Sequence, residues 1–78
     1  MQFQLDLTLR QSEGALARVL GTTQRRGFAP TALRAEAHPD SGQWALRMTV
    51  ESERSALALK SQLDKLHDCL CVEVLPCR

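Results

Sequence analysis

Residues 5–28, LDLTLRQSEGALARVLGTTQRRGF, place a strand, a tight turn and an amphipathic helix in immediate succession. Through the strand, apolar residues alternate with polar ones, which is the period of a half-buried β-strand. The apolar members are Phe3, Leu5, Leu7 and Leu9. In the helix, a single apolar stripe recurs at intervals of three and four residues. Its members are Leu16, Val19, Leu20 and Thr23.

The turn between this strand and helix is the most favourable place for a ligand, because free backbone N–H groups at a helix start attract small anions. Ser12 is expected to cap the helix, and Glu13 is well placed against the helix dipole. Gly14 tolerates the unusual backbone conformation of a tight turn. Gly27 is expected to end the helix in the left-handed conformation.

The second and third strands are predicted to form a hairpin. An extended run covers residues 31–37, and Pro30 before it favours an edge strand because proline cannot donate to a ladder. Residues 38–42, HPDSG, have strong turn chemistry. Residues 43–50 then alternate as the third strand. Two large residues of this strand are expected in the core, Trp44 and Met48.

A second helix and a fourth strand complete the chain. Ser52 is expected to cap the helix, and Lys60 with Asp64 forms an i,i+4 ion pair worth a few tenths of a kcal/mol. The helix is expected to end at His67–Asp68. Its apolar stripe consists of Ala56, Leu59, Leu63 and Leu66. The inward residues of the last strand are Leu70, Val72 and Val74.

The element order is therefore βαββαβ, which is typical of a ferredoxin-like α+β fold. Right-handed crossovers leave a gap between the first and second strands that the third can fill. We expect a single domain over residues 1–78, with a four-stranded antiparallel sheet and both helices on one face.

Composition excludes several classes of function. With 44% apolar and 24% charged residues and a net charge of +1, the chain gives no reason to expect nucleic acid or an anionic membrane as a partner. No segment approaches a membrane span, and the N-terminus does not resemble a signal peptide. The three cysteines, Cys69, Cys71 and Cys77, do not describe a disulfide framework. A cytoplasmic protein with free thiols is the expected class.

No catalytic constellation is visible, and no cofactor is expected in the chain. Its two histidines have no glycine-rich phosphate loop, paired carboxylates or nucleophile motif beside them. The one candidate metal set is His67-x-Cys69-x-Cys71, since alternate residues of a strand share a face. Both cysteines are interpreted instead as small apolar residues, and no metal is expected.

Binding is then the remaining class of function. We expect the loop before the first helix to lie close to the start of the second strand, so that a small zwitterion could place its carboxylate on the N–H groups of residues 12–15. The alternative is that Gly14 only permits a tight turn. The residues alone leave both interpretations open.

Two blocks of sequence carry a family resemblance. Residues 14–21, GALARVLG, with residues 24–28, QRRGF, resemble the opening of the small subunits of acetolactate synthase, which belong to the ACT-domain family. Residues 61–68, SQLDKLHD, look like their second helix. The resemblance implies a non-catalytic regulatory subunit of the short isozyme-II type. It would activate a large subunit that holds thiamine diphosphate, magnesium and FAD and acts in branched-chain amino acid synthesis.

The resemblance also implies an effector site and two departures from it. The implied effector-binding residues are Gln11, Ser12, Glu13, Gly14, Ala15 and Ala29. Valine-sensitive relatives have asparagine at the positions of Gln11 and Ala29, so we expect a weak response or none to valine, the branched-chain ligand implied. ACT domains often pair through a sheet edge, which makes residues 30–37 the candidate homodimer contact. The competing hypothesis is a free-standing ACT-type amino acid sensor.

Overall fold

The computed structural model describes residues 1–76, so Cys77 lies outside the described residues. Six elements follow one another in the predicted order. They are β1 (Gln2–Arg10), α1 (Ala15–Arg25), β2 (Ala29–His38), β3 (Gln43–Glu51), α2 (Ala56–Asp64) and β4 (Cys69–Pro76). Within residues 1–76, no helix has the length and apolar character needed to cross a bilayer.

The four strands form one antiparallel sheet in the spatial order β2-β3-β1-β4. As predicted, β3 fills the gap between β1 and β2, and β2 lies at an edge. The ladder between β1 and β3 runs without a break from Gln2 opposite Glu51 to Arg10 opposite Gln43. This regular central pair fixes where the loops at each end of the sheet lie.

One face of the sheet is buried under both helices, which confirms the predicted layering. The strands present Leu5, Leu9 and Met48 to this core, and the helices add Leu59 and Leu63, all fully buried. Burying a large aliphatic side chain stabilises the fold by about 1.5–3 kcal/mol. Both residues predicted for the third-strand core pack there; Met48 is fully buried, and Trp44 is half-buried against the cluster.

Both predicted helix caps were wrong. The residue that caps α1 is Gly14, in the left-handed conformation with φ 78°, and no side chain caps this helix. Ser55 caps α2, accepting a hydrogen bond from the Leu57 N–H. The hydroxyl of Ser52 instead donates to the Gly27 carbonyl oxygen over 3.1 Å. Ser52 thus bonds to a more distant partner, and the serine that caps α2 lies three residues later in the chain.

The far ends of the helices agree with the sequence only in part. Gly27 follows α1 with φ 85°, as predicted. The predicted Lys60–Asp64 pair forms at 2.8 Å. However, α2 ends at Asp64 and not at residues 67–68. The chain continues through a tight turn in which the Leu66 N–H donates to the Leu63 carbonyl, so Leu66 still packs against the core.

Candidate functional site

The loop between β1 and α1 requires glycine at one position. Gly14 has a positive φ, which L side chains rarely adopt. A Cβ atom there would lie 2.9 Å from Nη1 of Arg18. The left-handed turn therefore brings the loop backbone directly against the arginine one helical turn later.

Arg18 joins this loop to the segment before β4. Its Nε donates to Oδ2 of Asp68 over 2.6 Å, and its Nη2 donates to the Glu13 carbonyl oxygen over 2.8 Å. Ser12 donates its hydroxyl to the other carboxylate oxygen of Asp68. The loop and the start of α1 thus meet a distant part of the chain at one carboxylate, and we call Ser12, Arg18 and Asp68 the loop clamp.

Asp68 is the fixed centre of the loop clamp. Its side chain is 7% exposed, whereas that of Arg18 is 48% exposed. The hydrogen bonds from Arg18 and then from Ser12 lower the pKa of the Asp68 carboxyl. The Asp68 carbonyl also accepts the Arg10 N–H over 2.8 Å at the end of β1. Backbone and side chain of the same residue therefore hold the loop in place.

The lowered pKa of Asp68 predicts that the fold loses stability in acid. A carboxylate whose folded pKa lies below its unfolded value, about 3.9, stabilises the fold above that pH and loses this effect as pH falls through the folded pKa. We expect Asp68→Asn to lower the urea midpoint at pH 7 and to flatten its decline below pH about 4. Urea titrations from pH 2 to 7 measure both effects.

A matched control is Asp40→Asn in the exposed hairpin turn, where the same chemical change should leave the urea midpoint nearly unaltered. Equal acid profiles for wild type and Asp68→Asn would show that the loop clamp contributes nothing to the fold.

Several predicted effector residues lie together in this loop, but not all present free groups. Gln11 donates its side-chain N–H to the Gln43 carbonyl oxygen over 2.7 Å, which leaves its amide oxygen as an acceptor. Ala15 is buried, and its N–H already donates to the Ser12 carbonyl over 3.1 Å. Within residues 1–76, the N–H groups of residues 12–14 have no protein acceptor. Those three are the donors available to an anion.

The expectation that the loop and Ala29 lie close together was wrong for a single chain. Arg10, just before the loop, pairs with Gln43 at one end of β3, whereas Ala29 pairs with Glu51 at the other end. Eight residue steps of about 3.4 Å separate these ends by roughly 27 Å. The physical reason is that α1 carries the chain back along the sheet before β2 begins. Within one chain, Ala29 and this loop are therefore too far apart to contact the same small ligand.

The candidate metal set is not assembled. A register shift in β4 pairs Cys69 with Leu9 and Cys71 with Thr8, so the two cysteines lie on opposite faces of the sheet. The same shift makes the inward prediction for Leu70 wrong, since Leu70 is exposed and Cys69 packs against the core. Burial and then the neighbouring aspartates raise the pKa of Cys69 to about 11, which keeps its thiol protonated at neutral pH. Among residues 1–76, no three His, Cys, Asp or Glu side chains come together to hold a metal.

Sequence reasoning missed the roles of Arg18 and Asp68. In the sequence, Arg18 stands within a family motif and Asp68 at the expected end of the second helix. The topology carried a usable signal, since β4 pairs with β1 and the residue before β4 must lie near the end of β1. A carboxylate at that point and an arginine in the first turns of α1 have opposite charges, which would have predicted an ion pair between them.

Sequence comparison places the chain among known proteins. The profile of the ACT domain family matches residues 11–72. The acetolactate synthase isozyme 2 small subunit of Escherichia coli strain K12 is 37% identical over 68 residues, which cover 87% of this chain and 78% of that protein. The protein of the same description from Shigella flexneri matches with the same identity and coverage.

Solved structures show the same fold. The acetolactate synthase small subunit from Thermotoga maritima superposes with a TM-score of 0.84 and 17% identity, covering 97% of this chain and 48%, about half, of that chain. The ACT domain of GTP pyrophosphokinase from Chlorobium tepidum gives a TM-score of 0.81 and 13% identity, covering 96% and 97%. At such identities the likeness shows the fold alone. Together with the sequence matches it confirms the resemblance, and the chain belongs to the ACT domain family as a relative of the acetolactate synthase isozyme 2 small subunits.

Proposed function

We propose that this chain is a non-catalytic regulatory subunit that binds and activates the large catalytic subunit of an acetolactate synthase. The observation that carries the proposal is the 37% identity to the isozyme 2 small subunit across 87% of the chain. The same proposal places the thiamine diphosphate, magnesium and FAD in the large subunit. A small binding domain with a clamped loop is consistent with this role.

The proposal includes a weak response or none to valine. A free amino acid offers a carboxylate for the N–H groups of residues 12–14 and an ammonium for an amide or carbonyl oxygen. Here one of the two side-chain N–H groups of Gln11 is already engaged by the Gln43 carbonyl, which restrains the position of the amide, and Ala29 has no polar side-chain group. Each missing hydrogen-bond partner typically costs about 1–3 kcal/mol.

A homodimer through the β2 edge would complete the effector site. The outer side of β2 has no neighbouring strand among the described residues of this chain, and Leu33 on it is 47% exposed. Exposed edges of this kind favour pairing with another strand. Covering Leu33 would extend the core across two copies.

The charges on β2 favour one register among those centred on Arg34, Ala35 or Glu36. An antiparallel pair centred on Ala35 sets Arg34 opposite Glu36 of the second copy, and Glu36 opposite Arg34. Centring the pair on Arg34 or on Glu36 would set like charges directly opposite each other, which is destabilising. We therefore propose the pairing centred on Ala35.

This register brings the two halves of the effector site together. Ala29 of the second copy then lies near residue 41 of the first, at the end of the sheet where Gln11 is found. The backbone N–H of Gln11 donates to the Gly42 carbonyl over 3.0 Å, so the loop and this turn are already joined. A ligand between them would touch both copies.

Two binding measurements separate this proposal from the free-standing sensor. Co-purification with a tagged large subunit should recover a stoichiometric complex with or without amino acids. Calorimetric titration with valine should show no micromolar binding. A tight amino acid ligand with no affinity for the large subunit would instead establish the sensor.

A further inference from the structure

The open face of the sheet, opposite the helices, carries an ordered row of charges. One line of the pairing register crosses all four strands at Arg34, Arg47, Asp6 and Glu73, in the spatial order β2, β3, β1, β4. Two positive charges therefore occupy one half of the row and two negative charges the other half. The central pair is bidentate, with Arg47 Nε and Nη2 at 3.0 and 3.1 Å from the Asp6 oxygens.

We propose that this open face binds the open face of a second copy of the chain. A two-fold axis lying between the sheets and parallel to the strands reverses the row. Arg34 then faces Glu73 of the second copy, and Arg47 faces Asp6 of the second copy. An axis perpendicular to the strands would instead place like charges over each other. The charges thus permit one of the two simple two-fold arrangements.

The rows on either side of the charged row are also compatible with a two-fold axis parallel to the strands. On one side, Ala45 faces Thr8 of the second copy. On the other, Ala32 faces Leu75, which is partly exposed on β4. No charge faces a like charge in these rows. A shallow depression of about 400 Å³ lies on this same face and is lined by the four charged residues together with neighbours such as Thr8 and Ala45.

The geometry and area suit a reversible contact. Face-to-face sheets pack about 10 Å apart with nearly aligned strands, which the axis parallel to the strands provides. Four strands at about 4.8 Å spacing and about 27 Å of ladder give a face of roughly 500 Å² per copy. Two such faces approach the lower limit of specific interfaces, about 1,200 Å² in total. The contact should therefore be modest in affinity and weakened by salt.

The test uses two charge-reversal variants of the full chain. Glu73→Lys sets two positive charges face to face, and it lies on β4, away from the β2 edge. Arg34→Glu sets two negative charges face to face. By sedimentation equilibrium at low salt, each variant alone should show at least about a tenfold weaker face-to-face association than wild type. Glu53→Lys, the same charge change in the turn before α2, should match wild type.

The decisive sample is the equimolar mixture of the two variants. In a mixed pair, the lysine introduced in one copy would face the glutamate introduced in the other, and the second contact keeps its natural Arg34 and Glu73. Association should then recover at least about tenfold over either variant alone. Edge pairing through β2 is intact in Glu73→Lys and gains nothing from mixing it with Arg34→Glu. Recovery over Glu73→Lys alone therefore reports the open face only.

Three results would overturn the proposal. Self-association that Glu73→Lys leaves unchanged would exclude the face-to-face contact. A mixture that associates no more tightly than either variant alone would exclude it as well. If wild type does not self-associate through this face while Glu73→Lys weakens binding to the large subunit, the occupant is that subunit and not a second copy. The self-association measurements need no large subunit, so they can fail while the regulatory function proposed above stands.

Discussion

Replacing Leu59 by alanine is expected to lower the free energy of unfolding by about 2–5 kcal/mol. Leu59 is fully buried in the core cluster, where α2 contacts the sheet. A domain of this size is stable by only about 5–15 kcal/mol, with small domains at the low end. The variant should therefore be largely unfolded in mild denaturant. Urea titration followed by Trp44 fluorescence measures the change, since Trp44 is the single tryptophan and packs against the core.

The same helix offers a matched control. Leu57 is 69% exposed, and Leu57→Ala removes the same atoms from the surface. We expect its unfolding free energy to stay within about 0.5 kcal/mol of wild type. Similar losses for the two variants would mean that α2 does not pack on the sheet through Leu59.

Introducing the two asparagines that this chain lacks is expected to create a valine response. In the double variant Gln11→Asn, Ala29→Asn, each new amide can bond one end of the amino acid. A hydrogen bond to a charged group is worth about 1.5–3 kcal/mol, so each amide should strengthen valine binding by about tenfold to hundredfold. Calorimetry measures the affinity, and the single variants should each show part of the gain.

The control introduces the same two types of substitution at positions outside the loop. Gln4→Asn with Ala32→Asn makes the same kinds of substitution on β1 and β2, outside the proposed site. It should leave valine affinity at the wild-type level. A double variant at positions 11 and 29 that assembles normally but binds valine no better than this control would refute the role assigned to those positions.

Most of the fold follows from periodicity. The alternation from Phe3 to Leu9 specifies a strand with one buried face, and the structure buries Leu5, Leu7 and Leu9. Gly27 marks the end of α1 because a left-handed residue is needed there. Pro30 correctly indicates the edge position of β2. These signals are local or depend on one pattern, so the sequence alone reveals them.

The features that the sequence did not predict depend on contacts between segments that are distant in the chain. Ser12 has the chemistry of a helix cap, but Asp68, fifty-six residues away in the chain, accepts its hydroxyl hydrogen bond. Nothing near Ser12 indicates that competition. The separation of Gln11 and Ala29 likewise follows from the path of α1 along the sheet. The site proposed between two copies could not be recognised from the order of residues in one.

The most direct test of the proposed function is acetolactate formation by the cognate large subunit, measured alone and with this protein, each with and without millimolar valine. We predict a large rise in activity on adding the protein, and little or no change when valine is present. A rise that valine reverses would show that Gln11 and Ala29 suffice for an effector site. No rise and no complex would contradict the regulatory function itself.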